Sequence, residues 1–61
     1  MYEKLKAELS ERKMSVNQLA IKSKIWAPDL YSAINGKKPF YPNWKKRVAK
    51  TLHTSVKELF D

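Results

Sequence analysis

A chain of 61 residues with no cysteine has room for one domain and excludes both disulfides and thiolate chemistry. Its formal net charge of +7 is concentrated in the middle, where ten lysines and arginines lie between Arg12 and Lys50, against one acid, Asp29. A basic middle with acidic ends predicts a surface that binds a polyanion, and the alternative is a merely solvated basic surface.

Apolar residues at helical spacing predict an all-α chain of short helices. The first helix, α1, is expected over about residues 2–12, where apolar side chains recur every three or four residues. Ser15 and Gln18 have the spacing of a capping box, which predicts a second helix, α2, over about Val16 to Ser23.

The third helix, α3, is expected to begin near Ala27 and to end at Asn35. Pro28 is tolerated only in the first turn of a helix, and Asp29 favours the positive end of a helix dipole. Gly36, the only glycine of the chain, directly follows the apolar pattern, so we expect it to adopt the left-handed conformation that ends a helix.

After a connecting loop, Pro42 is expected to open a fourth helix, α4, that extends to about Leu52. Ser55 and Glu58 form a second capping box, which predicts a last short helix, α5, over about Val56 to Phe60. The fold class is therefore all-α, a compact bundle of five short helices.

The turn between α2 and α3, formed by Lys24, Ile25 and Trp26, has the length found in a helix-turn-helix. Two helices joined so tightly cross at a wide angle and share a core. The second then projects outward, slim enough for a DNA major groove about 12 Å wide. We expect residues 1–61 to be a single domain of this kind.

Residues along nearly the whole chain have a spacing shared with a known family: Leu5-Lys6, Met14-Ser15, Leu19-Ala20, Ile25, Leu30, Asn35-Gly36-Lys37, Leu52, and Ser55 through Leu59. At these positions the chain resembles the phage repressor and Cro-like helix-turn-helix family. The resemblance implies a five-helix, lambda-repressor-like domain that acts as a homodimer on a palindromic double-stranded DNA operator and occludes a promoter. The short length of the chain favours a Cro-type regulator, which is controlled by its own concentration.

Three positions depart from the pattern of this family. Lys24 stands where the turn often has glycine, and it is mildly strained if the backbone there needs a positive φ. Trp26 occupies the usual Ser or Thr cap position, and His53 stands where a glycine commonly follows the fourth helix. These departures change which base contacts can be carried over from the family, but they do not change the expected fold.

One face of α3 is expected to point outward, because its apolar residues turn inward. That face and the residue before it carry the candidate base contacts: Trp26, Ala27, Pro28, Tyr31, Ser32 and Asn35. Ser32 can donate or accept at several base edges, and Ala27 and Pro28 can pack on a thymine methyl. Tyr31 can either meet a thymine methyl or donate to a phosphate, and Asn35 can contact either the backbone or a base. Arg and Gln, the strongest readers of guanine and adenine, are missing from α3, so we expect base readout to be modest or based on DNA shape.

Phosphate contacts are expected beside α3, from free backbone amides at the start of α2 and from lysines in the turn and after α3. The candidates are Asn17, Gln18, Lys22, Lys24, Lys37 and Lys38. Lys45, Lys46 and Lys50 either extend this basic track or form a solvated helix face.

Several side chains near α3 and the following loop have two interpretations. Asp29 either favours the helix start or accepts from a cytosine amino group. Trp26 either stacks on the DNA or folds back over the preceding isoleucine. Trp44 is expected in the core, and Phe40 and Tyr41 are expected in loop packing or in a dimer contact with α5, rather than as stacking platforms for single strands.

The remaining composition argues against other classes of function. With one histidine, His53, no cysteine and no glycine-rich loop, we expect no enzyme, metal site, cofactor or small-molecule ligand. No apolar stretch approaches the roughly 20 residues that cross a bilayer, so we expect a cytoplasmic protein with no membrane role. Binding of the basic helices to a membrane surface is a distant alternative. The serious alternative is an antirepressor or antitoxin-like domain that keeps the fold but binds a protein partner.

Overall fold

The computed structural model describes residues 2–60, which form five α-helices and contain no strand. The helices are α1, Glu3–Glu11; α2, Val16–Ser23; α3, Ala27–Ile34; α4, Pro42–Thr51; and α5, Val56–Phe60. The predicted all-α fold of five short helices is confirmed, and each predicted helix end lies within one residue of the observed end.

A single buried cluster lies at the centre of these helices, and every helix contributes to it. Its largest fully buried side chains are Leu5, Leu19, Leu30, Val48 and Leu52. Burial of each such side chain contributes about 1.5–3 kcal/mol of hydrophobic free energy. Because these residues come from four different helices and the residue that ends α4, no helix has a core of its own, and the helices stabilise one another.

The predicted capping box at the start of α2 is present in full. The Gln18 amide N donates to Ser15 Oγ at 3.1 Å, and the Ser15 amide N donates to Gln18 Oε1 at 3.0 Å. At α5 only half of the predicted box forms, since the Glu58 amide N donates to Ser55 Oγ at 3.1 Å. The Glu58 carboxylate instead accepts a bond from the Thr54 hydroxyl at 3.4 Å, so the prediction of a complete second box is wrong.

The first four helices end in a shared motif, in which a left-handed residue reverses the chain. The amide that follows this residue donates to a carbonyl five positions back, at 2.8 to 3.0 Å, as in the Schellman motif. The left-handed residues are Lys13, Lys24, Gly36 and His53, with φ of 53°, 58°, 80° and 56°. The predicted role of Gly36 is confirmed, and the two positions where the resembled family has glycine do adopt positive φ.

Three aromatic rings connect the loop before α4 to residues near the N-terminus and the C-terminus of the chain. The ring centroid of Phe40 lies 5.2 Å from that of Tyr2 and 4.9 Å from that of Phe60, in edge-to-face geometry. Phe40 is buried, as its predicted role in loop packing requires, and only 6% of it is exposed to a dimer contact. Trp44 is half-buried at the edge of the core, against the exposed ring of Tyr41, rather than inside the core as predicted.

Lys13→Gly is expected to stabilise the domain, because a left-handed conformation costs an L-residue roughly 1–2 kcal/mol and glycine avoids that cost. The greater freedom of glycine in the unfolded chain offsets part of the gain, which leaves about 0.5–1 kcal/mol. Thermal unfolding measures this as an increase in Tm, at about 4–8 °C per kcal/mol for a domain of this size. Lys13→Ala, which removes the charge but keeps Cβ, is the control, and an equal gain from both variants would contradict the backbone explanation.

Candidate nucleic-acid interface

The orientation of α3 is set by its packing on α2 across the three-residue turn. The apolar residues that α2, the turn and α3 contribute to the core are all buried: Leu19, Ala20, Ile25, Leu30, Ala33 and Ile34. The chain can turn this sharply because Lys24 is left-handed and the Ile25 amide N donates to the Ala20 carbonyl at 3.0 Å. With its inward stripe fixed, α3 presents the opposite face to solvent.

The candidate base contacts lie on this outward face with different degrees of exposure. Trp26 is 71% exposed and Tyr31 46%, and Pro28 and Asn35 are exposed as well. Ala27 and Ser32 are half-buried, and Ala27 packs partly against the core. The alternative in which Trp26 folds back over Ile25 is wrong, because most of Trp26 remains in contact with solvent.

The first turn of α3 is stabilised by a charge rather than by a side-chain cap. Trp26 makes no capping hydrogen bond, and Pro28, the second residue of α3, has no N–H to donate. Asp29 places a carboxylate at the positive end of the helix dipole. Its Oδ1 accepts a bond from Lys38 Nζ at 2.6 Å, so Asp29 also ties the loop after α3 back to the start of that helix.

This ion pair changes the expected role of the two lysines that follow α3. Lys38 is paired with Asp29, whereas Lys37 is exposed beside it and has room to reach an anion. Exposed ion pairs are weak, typically 0–1 kcal/mol, so a phosphate can compete for Lys38. Of the two candidates, Lys37 therefore provides the more available positive charge.

At the start of α2, the candidate phosphate contacts Asn17 and Gln18 are both exposed. The backbone amide of Gln18 and its side-chain oxygen are engaged in the capping box with Ser15. The amides of Val16 and Asn17 belong to the first turn, where no carbonyl lies one helical turn earlier to accept from them. These two amides, rather than that of Gln18, are the donors that α2 can offer to a phosphate.

The two candidate lysines near the turn between α2 and α3 have different surroundings from the two that follow α3. Lys22 and Lys24 line an open depression of about 450 Å³ between the ends of α2 and α4, together with Arg47, Lys50 and His53. Two helices end here, and each helix C-terminus carries about half a negative charge. The Ser23 and Thr51 hydroxyls in its lining bond to one another at 3.1 Å, and Thr51 Oγ1 donates to the Arg47 carbonyl. The cations of this depression therefore compensate two helix ends as well as facing solvent.

Two arginines in the basic middle of the chain bind carbonyls of the fold. Arg12 Nη2 donates to the Leu52 carbonyl at 2.8 Å, and its Nε pairs with Glu8 Oε1 at 2.9 Å. Arg47 Nη1 donates to the Lys24 carbonyl at 3.3 Å. Both arginines thus hold helix ends in place, and these bonds restrict how far their side chains can reach toward a polyanion. The sequence gives no signal for either bond, because the partner is a backbone atom far along the chain.

Within residues 2–60 there is no group of three His, Cys, Asp or Glu side chains that could hold a metal ion. None of the helices described there has the length and apolar character needed to cross a membrane. The candidate site consists of the outward face of α3, the first amides of α2, and the lysines around them.

Comparison of the chain with protein-family models, with curated proteins and with solved structures finds no match.

Asp29→Asn is expected to strengthen binding to a duplex of arbitrary sequence, because it releases Lys38 and removes a negative charge beside α3. The plot of log affinity against log salt should steepen by about 0.9, as for one added phosphate contact. Fluorescence anisotropy at several salt concentrations measures the slope. In the double variant Asp29→Asn/Lys38→Ala the gain should vanish, and a slope that does not change in Asp29→Asn would contradict the role given to this pair.

Proposed function

We propose that this protein is a sequence-specific, double-stranded DNA-binding transcriptional regulator that acts in the cytoplasm. It inserts α3 into a major groove and occludes a promoter, as its resemblance to phage repressor and Cro-like proteins implies. The observation that carries the proposal is the outward face of α3, which is held in a fixed orientation by a buried stripe and is flanked by exposed lysines.

The dimensions of the domain fit this mode of binding. An eight-residue helix is about 12 Å long and, with its side chains, about 10–12 Å across, which matches the width of the major groove. The domain extends 22 × 21 × 18 Å, so α3 spans about half of one side. The base contacts supply specificity, while phosphate contacts from the start of α2 and from Lys37 supply most of the affinity.

A homodimer on a palindromic operator is part of the proposal. It would place two copies of α3 about 34 Å apart in successive major grooves. Phe40 and Phe60 pack against one another within the chain, so a contact through α5 and the preceding loop has to use the outer residues. Tyr41, which is 48% exposed, is the large side chain available there.

A protein-binding role is the second candidate, and one observation favours it. Ile21 on α2 is 69% exposed, and Trp26 is 71% exposed in the turn that follows. Exposed large apolar side chains are enriched where proteins bind one another. If the protein has this role, it is an antirepressor or antitoxin-like domain that keeps the fold and uses these residues to contact its partner.

Gel-shift binding to DNA from the neighbourhood of the gene, with excess nonspecific competitor, tests the proposal. We expect a discrete site, and we expect Tyr31→Ala/Ser32→Ala to reduce discrimination between that site and other DNA. Lys37→Ala should weaken binding to all sequences and reduce the salt slope by about 0.9. Lys6→Ala removes the same charge from α1, outside both the candidate site and the proposed dimer contact, and should change neither quantity.

If no site survives the competitor, or if Lys6→Ala weakens binding as much as Lys37→Ala does, the proposed function is wrong. Loss of every discrete site would point to the protein partner, for which Ile21→Ser and Trp26→Ser would then be the variants to test.

A further inference from the structure

The stretch of the outward face from Trp26 to Tyr31 is mainly apolar, although the chain is strongly basic. Trp26 and Tyr31 are 71% and 46% exposed, and the ring of Pro28 lies between them in sequence and is exposed. The polar candidates of the same face, Ser32 and Asn35, belong to its C-terminal half. The end of α3 next to the turn therefore presents mainly rings and methyl groups.

Hydrogen-bonding groups that could read a base are scarce at this end. Pro28 has no N–H, Trp26 offers one indole N–H, and Tyr31 offers one hydroxyl. The carboxylate of Asp29 is engaged by Lys38 Nζ at 2.6 Å. Residues 26 to 31 contain no Arg, Lys, Gln or Asn, which are the side chains that make bidentate contacts with guanine or adenine.

The floor of the major groove has one prominent apolar feature, the C5-methyl group of thymine. Apolar side chains placed over the amino and carbonyl groups of a G·C pair would bury those groups without partners, which is unfavourable. The same side chains over thymine methyl groups bury apolar surface against apolar surface. The composition of this end of α3 therefore favours thymine over every other base.

We propose that the stretch from Trp26 to Tyr31 recognises thymine methyl groups, so that the specific DNA site carries at least two thymines opposite Trp26, Pro28 and Tyr31. The five helical steps from residue 26 to residue 31 span about 7.5 Å, which is about two base steps of 3.4 Å. The inference rests on the proposed function and names the feature of the DNA that α3 reads.

Replacement of thymine by deoxyuridine tests the inference, because it removes the methyl group and keeps every hydrogen-bonding group of the base edge. Duplexes selected by the full chain from a library of random sequence provide the site. Each thymine in it is then replaced singly, and affinity is measured by fluorescence anisotropy at fixed salt. Burial of one methyl group contributes about 0.8 kcal/mol. Replacing one contacted thymine should therefore weaken binding about fourfold, and replacing two should weaken it about fifteenfold.

Trp26→Ala identifies which side chain senses the methyl group. Because Trp26 is mostly exposed, this variant should fold normally, which circular dichroism and thermal unfolding can verify. At the thymine nearest Trp26, deoxyuridine should weaken binding about fourfold in the original chain and hardly at all in the variant. Deoxyuridine outside the selected site should have no effect in either protein.

A selected site that tolerates deoxyuridine at every position, or one with G·C pairs opposite this end of α3, overturns the inference while the DNA-binding function stands. Failure to select any site overturns the inference and the proposed function together.

Discussion

The packing of α3 on α2 is the contact on which the other features of the domain depend. Leu30, Ala33 and Ile34 are buried against a core that α2 shares through Leu19 and Ala20. Because side chains recur every 3.6 residues around a helix, burying one stripe decides which residues point outward. In a chain of this length the same few apolar residues therefore stabilise the fold and set the orientation of the candidate interface.

The charged side chains of this domain have two separate roles, one in holding the fold together and one in facing a polyanion. Arg12 and Arg47 donate to carbonyls at or beside helix ends, and Asp29 and Lys38 connect the two ends of the region around α3. Lys37, the first amides of α2, and Lys22 and Lys24 on the turn side remain to attract phosphates. A protein that binds DNA in this way depends less on its total charge than on the few charges that the fold leaves available.

Local signals were sufficient to predict the helices and most of their ends. The capping box at Ser15, the prolines in the first turns of α3 and α4, and Gly36 each act within a few residues, so their effects can be inferred from sequence. The bond from Arg12 to the Leu52 carbonyl spans 40 residues, and nothing in the sequence pattern indicates it. The sequence likewise does not determine the orientation of Trp26, because packing against the turn and pointing outward are compatible with the same sequence.

We expect DNA to bind to the face formed by α3, the start of α2 and Lys37. Amide chemical shifts of the labelled protein, followed by NMR during titration with a 16-base-pair duplex of arbitrary sequence at low salt, identify the bound surface residue by residue. The largest changes should fall on residues 16–18 and 26–37, and α1 and α5 should change little. Changes centred on α1 or α5, or no changes at all, would contradict this expectation.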